Sequence, residues 1–261
     1  MFLQRTISSM VFAPLVGFAV YLGDGYFAAL LAVISLAAAV EYRRLMSQAG
    51  VSIPAPFVVI TAAVGLSGYW GGPAHLLIAL IFGAMVLLVL ALFSTDVPAA
   101  LYGLSGELYL GGFLGALGLL RMGQDGRSWA LMVLLVTWAT DVGAYLGGSA
   151  LGKHKMAPDI SPSKSWEGAI CGVLAASATG GALSGFLGFP KLFALVVGLL
   201  LGILAEAGDL MESLLKRFCK AKDSGKVIPG HGGVLDRFDS LLFTGAGGLL
   251  FRFLSGMLSS L

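Results

Sequence analysis

Charged residues are scarce in this chain of 261 residues, since Asp, Glu, Lys and Arg together make up 11% of it. A typical soluble domain carries about 25% charged residues. The longest polar stretches, residues 148–167 and 212–237, are too short to bury a core of their own. The net charge of +2 is too small to indicate a nucleic-acid partner. These scarcities exclude an ordinary soluble domain and a nucleic-acid-binding protein.

Cysteine is also rare. The two cysteines, Cys171 and Cys219, have no paired spacing, which excludes a disulfide framework, and no Cys/His spacing supports a zinc site. A small-residue cleavage site is lacking after the first apolar run, because "YLGDGYFAA" continues directly into the next run. We therefore expect the first run to be a retained membrane span and not a cleaved signal peptide.

Long apolar runs fill most of the sequence, which is 57% hydrophobic. A run of roughly 20 apolar residues can cross a bilayer as a helix. The pattern predicts an all-α, polytopic integral membrane helical bundle with about nine transmembrane helices. The predicted spans lie at about 6–22, 26–45, 55–70, 75–93, 100–120, 129–147, 168–187, 191–212 and 238–258. We expect about five spans in an N-terminal region, residues 1–128, and a C-terminal region, 129–261, that carries both polar loops.

Glycine is abundant, with 38 residues. Many glycines recur four residues apart within predicted spans, a spacing that lets helix backbones approach closely in lipid. The clearest pairs are Gly111 and Gly115, Gly143 and Gly147, Gly181 and Gly185, and Gly198 and Gly202. This pattern predicts close helix packing and is compatible with a homodimer.

The basic residues are distributed unevenly between the two sides of the predicted bundle. Loops after the even-numbered spans, together with the amino terminus, hold twelve of the sixteen Lys and Arg residues. These twelve are Arg5, Arg43, Arg44, Lys153, Lys155, Lys164, Lys216, Arg217, Lys220, Lys222, Lys226 and Arg237. Because positive charge marks the cytoplasmic side, we expect the amino terminus and both polar loops inside and the carboxyl terminus outside.

Five acidic residues lie within or at the ends of predicted spans: Asp141, Glu206, Asp209, Asp236 and Asp239. A carboxylate at the bilayer centre costs about 2.5–3.5 kcal/mol on insertion scales. Each one alone could be paired with a Lys or Arg for structural reasons, but five beside two basic loops favour a polar site. Glu206 and Asp209 share a helix face by their spacing, and so do Asp236 and Asp239. Such oxygen ligands suit Mg²⁺ or Mn²⁺.

A basic and glycine-rich loop precedes the last span. Its sequence "SLLKRFCKAKDSGKVIPGHGG" supplies Lys216, Arg217, Lys220, Lys222 and Lys226. Such a loop could simply lie against anionic lipid headgroups. However, "PGHGG" also offers flexible backbone N–H groups that can hold phosphate. Together with the paired carboxylates, the loop indicates a metal–phosphate site.

The other polar loop, "GKHKMAPDISPSKSWEG", lies on the same predicted side and contains Lys164. Its end resembles a helix start, with Ser163 or Ser165 as the cap. Lys164 could therefore be a snorkelling lysine beside a capped helix or a phosphate ligand.

Residues 213–239 resemble the signature of the phosphatidate cytidylyltransferases, also called CDP-diacylglycerol synthases. The matching positions are Ser213, Lys216, Arg217, Lys222, Asp223, Gly225, His231, Gly232, Gly233, Asp236, Arg237 and Asp239. Three shorter motifs of this family also match: the Gly-Asp step at 208–209, "DVGAYLGG" from Asp141, and "SPSKSWEG" at 161–168. The firm resemblance covers about residues 137–245.

The resemblance implies that CTP and phosphatidate react to give CDP-diacylglycerol and pyrophosphate. It also implies a requirement for Mg²⁺, with a second metal ion as an open alternative, and a catalytic role for residues 129–261. The partners would be CTP, phosphatidate and membrane lipid. The protein would be a multi-pass protein of a bacterial-type inner membrane, with its active site facing the cytoplasm.

The residues and the resemblance together suggest roles for individual side chains. The expected catalytic residues are Asp209, Asp223, Asp236, Asp239 and Lys222. The expected substrate-binding residues are Lys164, Ser163, Lys216, Arg217, His231, Gly232, Gly233 and Arg237. The expected metal ligands are Asp209, Asp236, Asp239 and Asp141. His231 could either donate to a phosphate or only stabilise its loop.

Three other classes remain open from the sequence. Another CTP-using membrane enzyme, such as a lipid-alcohol kinase or a cytidylyltransferase for a different lipid, would use similar phosphate chemistry. A transporter with carboxylate ion sites would show transmembrane flux without CTP turnover. A structural scaffold would tolerate single Asp→Asn changes.

Overall fold

Apolar helices account for nearly all of the computed structural model, which describes residues 13–225 and 232–258. The helices are α1 (Ala13–Leu22), α2 (Asp24–Gln48), α3 (Pro56–Ser94), α4 (Val97–Gly106), α5 (Phe113–Arg121), α6 (Gly126–Leu151), α7 (Trp166–Leu187), α8 (Lys191–Phe218) and α9 (Leu235–Leu258). A π-helical segment, Glu107–Gly112, joins α4 to α5 without a break.

Seven helical stretches of the described residues are long and apolar enough to cross a membrane, with α4 to α5 counted as one stretch. The shorter apolar helix α1 coincides with the end of the first predicted span, and the start of that span lies outside the described residues. The prediction of an all-α, multi-pass membrane protein is confirmed.

Helix α3 contains two predicted spans, because it is broken at Gly72. This glycine has φ 75° and ψ −167°, and Pro73 follows it. A Cβ placed on Gly83 would lie 2.6 Å from Cγ2 of Ile60. In a straight helix, two residues separated in sequence like Ile60 and Gly83 would be about 34 Å apart in space. The two arms of α3 therefore fold back on each other, in agreement with the predicted spans 55–70 and 75–93.

The chain divides into two compact units, each discontinuous in sequence. Unit 1 comprises Met1–Met122 and Lys216–Phe238, and unit 2 comprises Gly123–Leu215 and Asp239–Leu261. In unit 1, side chains such as Phe27, Leu31 and Phe57 are fully buried.

Close glycine contacts join helices within each unit. In unit 1, a Cβ on Gly115 would lie 3.0 Å from the carbonyl oxygen of Val64. In unit 2, a Cβ on Gly143 would lie 3.0 Å from the carbonyl oxygen of Cys171. Gly185 of α7 has open space around it, so its predicted role in close packing is absent within the described residues.

A short hairpin in unit 2 precedes α7 and carries Lys164. Strand β1 (Lys155–Ala157) pairs antiparallel with β2 (Ser161–Ser165). The Ser165 hydroxyl accepts a hydrogen bond from the Gly168 N–H at 3.2 Å, and α7 starts at Trp166, directly after Ser165. The predicted helix start is confirmed, with Ser165 and not Ser163 as its cap.

Candidate functional site

Each unit contains a cluster in which a largely buried lysine contacts at least one carboxylate. In unit 2 the lysine is Lys164, whose Nζ lies 2.6 Å from Oε2 of Glu206 and 2.9 Å from Oδ2 of Asp209. Glu206 and Asp209 stand one turn apart on α8, so their predicted common face is confirmed. The Lys164 side chain is 16% exposed, whereas Asp209 is 38% exposed. The cluster thus has one accessible carboxylate beside a fixed cation.

The charge of Lys164 is set by its two partners. Burial by itself disfavours the charged ammonium group, but the negative charges of Asp209 and Glu206 outweigh this effect and raise the pKa of Lys164 above its ordinary value. The hydrogen bonds from Nζ to both carboxylates act in the same direction. Lys164 is therefore positively charged at neutral pH.

Helix α9 passes α8 at contact distance next to this cluster, within unit 2. A Cβ on Gly208 would lie only 2.7 Å from the carbonyl oxygen of Asp239, so only glycine fits this crossing. The Gly208–Asp209 step therefore brings Asp209 to the turn of α9 that holds Asp239. Oδ1 of Asp239 accepts the N–H of Ser240 at 2.8 Å.

Two further predicted site residues of unit 2 lie at exposed positions. Asp141 is exposed on α6, and Ser163 is exposed on β2. Their roles as metal ligand and substrate ligand stay predictions.

The cluster of unit 1 is centred on Asp236, at the start of α9. Its Oδ1 accepts a hydrogen bond from Lys216 Nζ at 2.7 Å. Its Oδ2 accepts bonds from the N–H of Ser224 at 2.9 Å, the hydroxyl of Ser224 at 2.9 Å and the N–H of Gly233 at 2.8 Å. The Lys216 and Asp236 side chains are 14% and 7% exposed. Asp236, in the first turn of α9, is thus held by the loop that precedes the helix.

Most other predicted residues of unit 1 are on the surface. Arg217, Lys222, Asp223 and Arg237 are exposed, which leaves their charged groups accessible to a ligand. Gly232 has φ 83°, and a Cβ there would lie 2.6 Å from Oδ2 of Asp236. The fold requires glycine at this position for its own backbone. His231 lies outside the described residues, so its role stays a prediction.

The sequence analysis missed one carboxylate of unit 1, Glu41 of α2. Its side chain is fully buried and accepts hydrogen bonds from Ser224, Val234 and Leu235. The available signal was a single acidic residue within an apolar span, which usually marks a polar site.

The donor chemistry of the Lys164 cluster fits a magnesium ion. Within residues 13–225 and 232–258, no three His, Cys, Asp or Glu side chains form a metal-binding group. Mg²⁺, however, is usually bound through one or two carboxylates together with water and phosphate oxygens of the ligand. The pair of Glu206 and Asp209 offers such carboxylates, and Asp209 is the accessible one.

Comparison with known proteins gives one family. A family model described as the cytidylyltransferase family matches residues 3–254. A curated Bacillus subtilis protein named phosphatidate cytidylyltransferase is 45% identical over 125 residues, which is 47% of this chain and 46% of that protein. A Brucella suis protein of the same name is 45% identical over 152 residues, 57% of this chain and 55% of that protein.

A longer match is found with a Staphylococcus haemolyticus protein, also named phosphatidate cytidylyltransferase. It is 35% identical over 223 residues, which is 83% of this chain and 85% of that protein. The chain thus spans about half the length of the Bacillus and Brucella relatives and most of the length of the Staphylococcus relative.

Proposed function

The chain belongs to the cytidylyltransferase family, and we propose that it is a phosphatidate cytidylyltransferase. It would transfer CMP from CTP to phosphatidate and release pyrophosphate. The observation that carries this proposal is the match to the Staphylococcus haemolyticus protein of that name, because it extends over most of both chains. The two lysine–carboxylate clusters support it chemically.

The proposed reaction is a substitution at phosphorus. An oxygen of the phosphatidate phosphate forms a bond to the α-phosphorus of CTP, while the bond from that phosphorus to the oxygen bridging to the β-phosphate breaks. Pyrophosphate takes the electron pair of the broken bond and leaves. The attacking phosphate is already an anion, so the main barrier is repulsion between two anionic phosphates, and catalysis requires positioning and positive charge.

The cations of the chain are suited to reduce this repulsion. We propose that Lys164 and Lys216 contact phosphate oxygens from fixed positions, since Lys164 is held by two carboxylates and Lys216 by one, each in its own unit. The exposed side chains of Arg217, Lys222 and Arg237 would bind the triphosphate or the lipid phosphate.

We also propose that the aspartates hold Mg²⁺. Asp209 and Asp239 would do so where α8 and α9 cross in unit 2, and Asp236 would do so in unit 1. Asp141 and Asp223 are the next candidates. When bound, Mg²⁺ supplies positive charge to phosphate oxygens.

The protein is a multi-pass membrane protein, and we propose that it lies in a bacterial inner membrane with its active site facing the cytoplasm. The bias of Lys and Arg toward one side of the predicted topology supports this orientation. Phosphatidate would then enter from the bilayer while CTP arrives from the cytoplasm.

The test is transfer of label to lipid by the purified protein in detergent. CTP labelled at its α-phosphate is mixed with phosphatidate, with and without Mg²⁺. We expect label in the chloroform-soluble lipid and one pyrophosphate per lipid labelled, both only with Mg²⁺. Diacylglycerol in place of phosphatidate is the control and should take up no label. Release of CDP and no labelled lipid would instead indicate a CTP-dependent lipid kinase and contradict the proposal.

The ligand assignment of Asp239 has its own test. Asp239→Asn keeps the size of the side chain but removes its charge, and we expect about a 100-fold lower turnover at any Mg²⁺ concentration. The control is Asp159→Asn, at an exposed position of the hairpin, which should retain normal turnover. Near-normal turnover of Asp239→Asn would refute the assignment.

A further inference from the structure

Glu41 of α2 is a buried carboxylate that binds the loop before α9. Its side chain is 0% exposed. Oε1 accepts the N–H of Val234 at 2.9 Å, and Oε2 accepts the N–H of Leu235 at 2.8 Å. The hydroxyl of Ser224 lies 2.9 Å from Oε2. All of these residues belong to unit 1, and the carboxylate occupies the positive, amino-terminal end of α9.

Two glycines of the family signature make room for Glu41. A Cβ on Gly225 would lie 2.6 Å from Oε1 of Glu41, and a Cβ on Gly233 would lie 2.4 Å from Oε2. Real Cβ atoms do not approach oxygen so closely, so any other residue at either position would force the Glu41 side chain or the loop to shift. The loop is therefore shaped around a carboxylate of the protein itself, in addition to any ligand it binds.

Ser224 connects Glu41 to Asp236. Its hydroxyl lies 2.9 Å from Oε2 of Glu41 and 2.9 Å from Oδ2 of Asp236, although it has only one hydrogen to donate. The backbone N–H of Ser224 also donates to Oδ2 of Asp236, at 2.9 Å. The other oxygen, Oδ1, accepts from Lys216. The orientation of Asp236 thus depends on Ser224, and the position of Ser224 depends on Glu41.

We infer that Glu41 is a positioning residue for Asp236 and Lys216. It holds Ser224 and the first backbone amides of α9 in place and touches no substrate itself. This inference rests on the proposed function, in which Asp236 and Lys216 act on phosphates and Mg²⁺. Residues that orient metal-binding groups in this way typically change metal affinity or activity by about 10- to 100-fold when they are replaced.

The structural part of the inference is tested by amide hydrogen exchange, which needs no enzymatic activity. Glu41→Gln keeps the size of the side chain but replaces one acceptor oxygen by an NH₂ group that faces donors. We expect the Val234 and Leu235 amides to exchange at least about 10-fold faster than in the wild type. The matched control is Glu107→Gln, since Glu107 is also a buried acid of unit 1 and its Oε1 has no hydrogen-bond partner in the described part of the chain. Its exchange at Val234 and Leu235 should equal that of the wild type.

The functional part is tested by the Mg²⁺ dependence of CMP transfer. We expect Glu41→Gln to lower kcat by about 10- to 100-fold and to raise the Mg²⁺ concentration for half-maximal activity by a similar factor. Glu107→Gln should change neither quantity. A helix cap with a purely structural role would lower the unfolding temperature but leave the Mg²⁺ dependence of the folded enzyme unchanged, and that result would overturn the inference.

Ser224→Ala provides a second variant that removes only the shared hydroxyl. We expect it to shift the Mg²⁺ dependence in the same direction, and to add little when combined with Glu41→Gln, because both act through one contact. If Glu41→Gln does not fold, an unchanged Mg²⁺ dependence of Ser224→Ala overturns the inference. If the wild type transfers no CMP, the proposed function fails, whereas the exchange of Val234 and Leu235 still decides whether Glu41 positions the loop.

Discussion

Lys164 is the residue on which the unit 2 cluster depends, because it is the cation between Glu206 and Asp209. Lys164→Met would leave these two carboxylates side by side without the cation between them. Removal of one member of a buried ion pair destabilises a protein by about 3–5 kcal/mol, and we expect a lower unfolding temperature and loss of CMP transfer. Thermal unfolding in detergent and the label-transfer assay measure both effects.

The matched control for this variant is Lys155→Met in the same hairpin. Lys155 is exposed on β1, so the same substitution removes the same charge without opening a buried pair. We expect its unfolding temperature and activity to stay close to the wild type. Equal losses in both variants would show that net loop charge matters and that the buried pair does not.

The pH dependence of the Lys164 contribution follows from the direction of its pKa shift. Burial opposes the charge, but Asp209 and Glu206 outweigh it and raise the pKa of Lys164 above 10.5. A group whose pKa is raised by folding contributes its full stability below its unfolded pKa and loses it only as the pH rises through the folded value. We therefore expect the difference in unfolding temperature between wild type and Lys164→Met to be equal at about pH 7 and about pH 9.5. A clearly smaller difference at the higher pH would contradict the assigned shift.

The relative placement of two side chains could be predicted from the sequence where the residues are only a few positions apart in one helix. Glu206 and Asp209 are three residues apart on one helix, so their common face followed from helix geometry. Glu41 could not be assigned in this way, because its hydrogen-bond partners are 183, 193 and 194 residues away in the chain. Only the fold brings α2 to the loop before α9.

At the scale of helices and strands, composition predicted the spans because a bilayer requires long apolar helices. Composition did not predict the hairpin of β1 and β2, whose strands of three and five residues carry too few residues for an alternating pattern. It also did not predict the π-helical segment Glu107–Gly112, since its residues suit an α-helix equally well.

The break in α3 depends on Gly72, and this dependence can be measured. Its combination of φ 75° and ψ −167° is essentially accessible only to glycine, and other residues are strained there by about 1–3 kcal/mol. A Cβ on Gly72 would meet no atom within 4 Å, so Gly72→Ala tests backbone strain alone. We expect this variant to unfold at a lower temperature in detergent.

Gly185→Ala is the control for this change. Gly185 lies within α7 and also has no atom within 4 Å of an added Cβ, but its φ is negative. Alanine is favoured over glycine in a helix by about 1 kcal/mol, so we expect an unchanged or slightly higher unfolding temperature. A loss of stability as large as that of Gly72→Ala would contradict the strain argument.

At the scale of the whole molecule, the distribution of charge carries information that the net charge of +2 conceals. Most basic residues lie on one predicted side, and the two clusters use two of these residues, Lys164 and Lys216. A site that brings anionic lipid together with a nucleotide needs positive charge on the side where the nucleotide is present. The same residues thus support both the expected membrane orientation and the proposed chemistry.

This orientation can be tested within unit 2, where α6 separates the loop at Gln124 from the hairpin at Asp159. Both positions are exposed. In a protein whose Cys171 and Cys219 are replaced by alanine, Gln124→Cys and Asp159→Cys each introduce one accessible thiol. The positive-inside rule places Asp159 in the cytoplasm and Gln124 outside. We therefore expect a membrane-impermeant maleimide to label Gln124→Cys in intact cells and Asp159→Cys only after the membrane is permeabilised. The reverse pattern would place the proposed active site on the side that lacks CTP, and would contradict the orientation and the proposed access of CTP together.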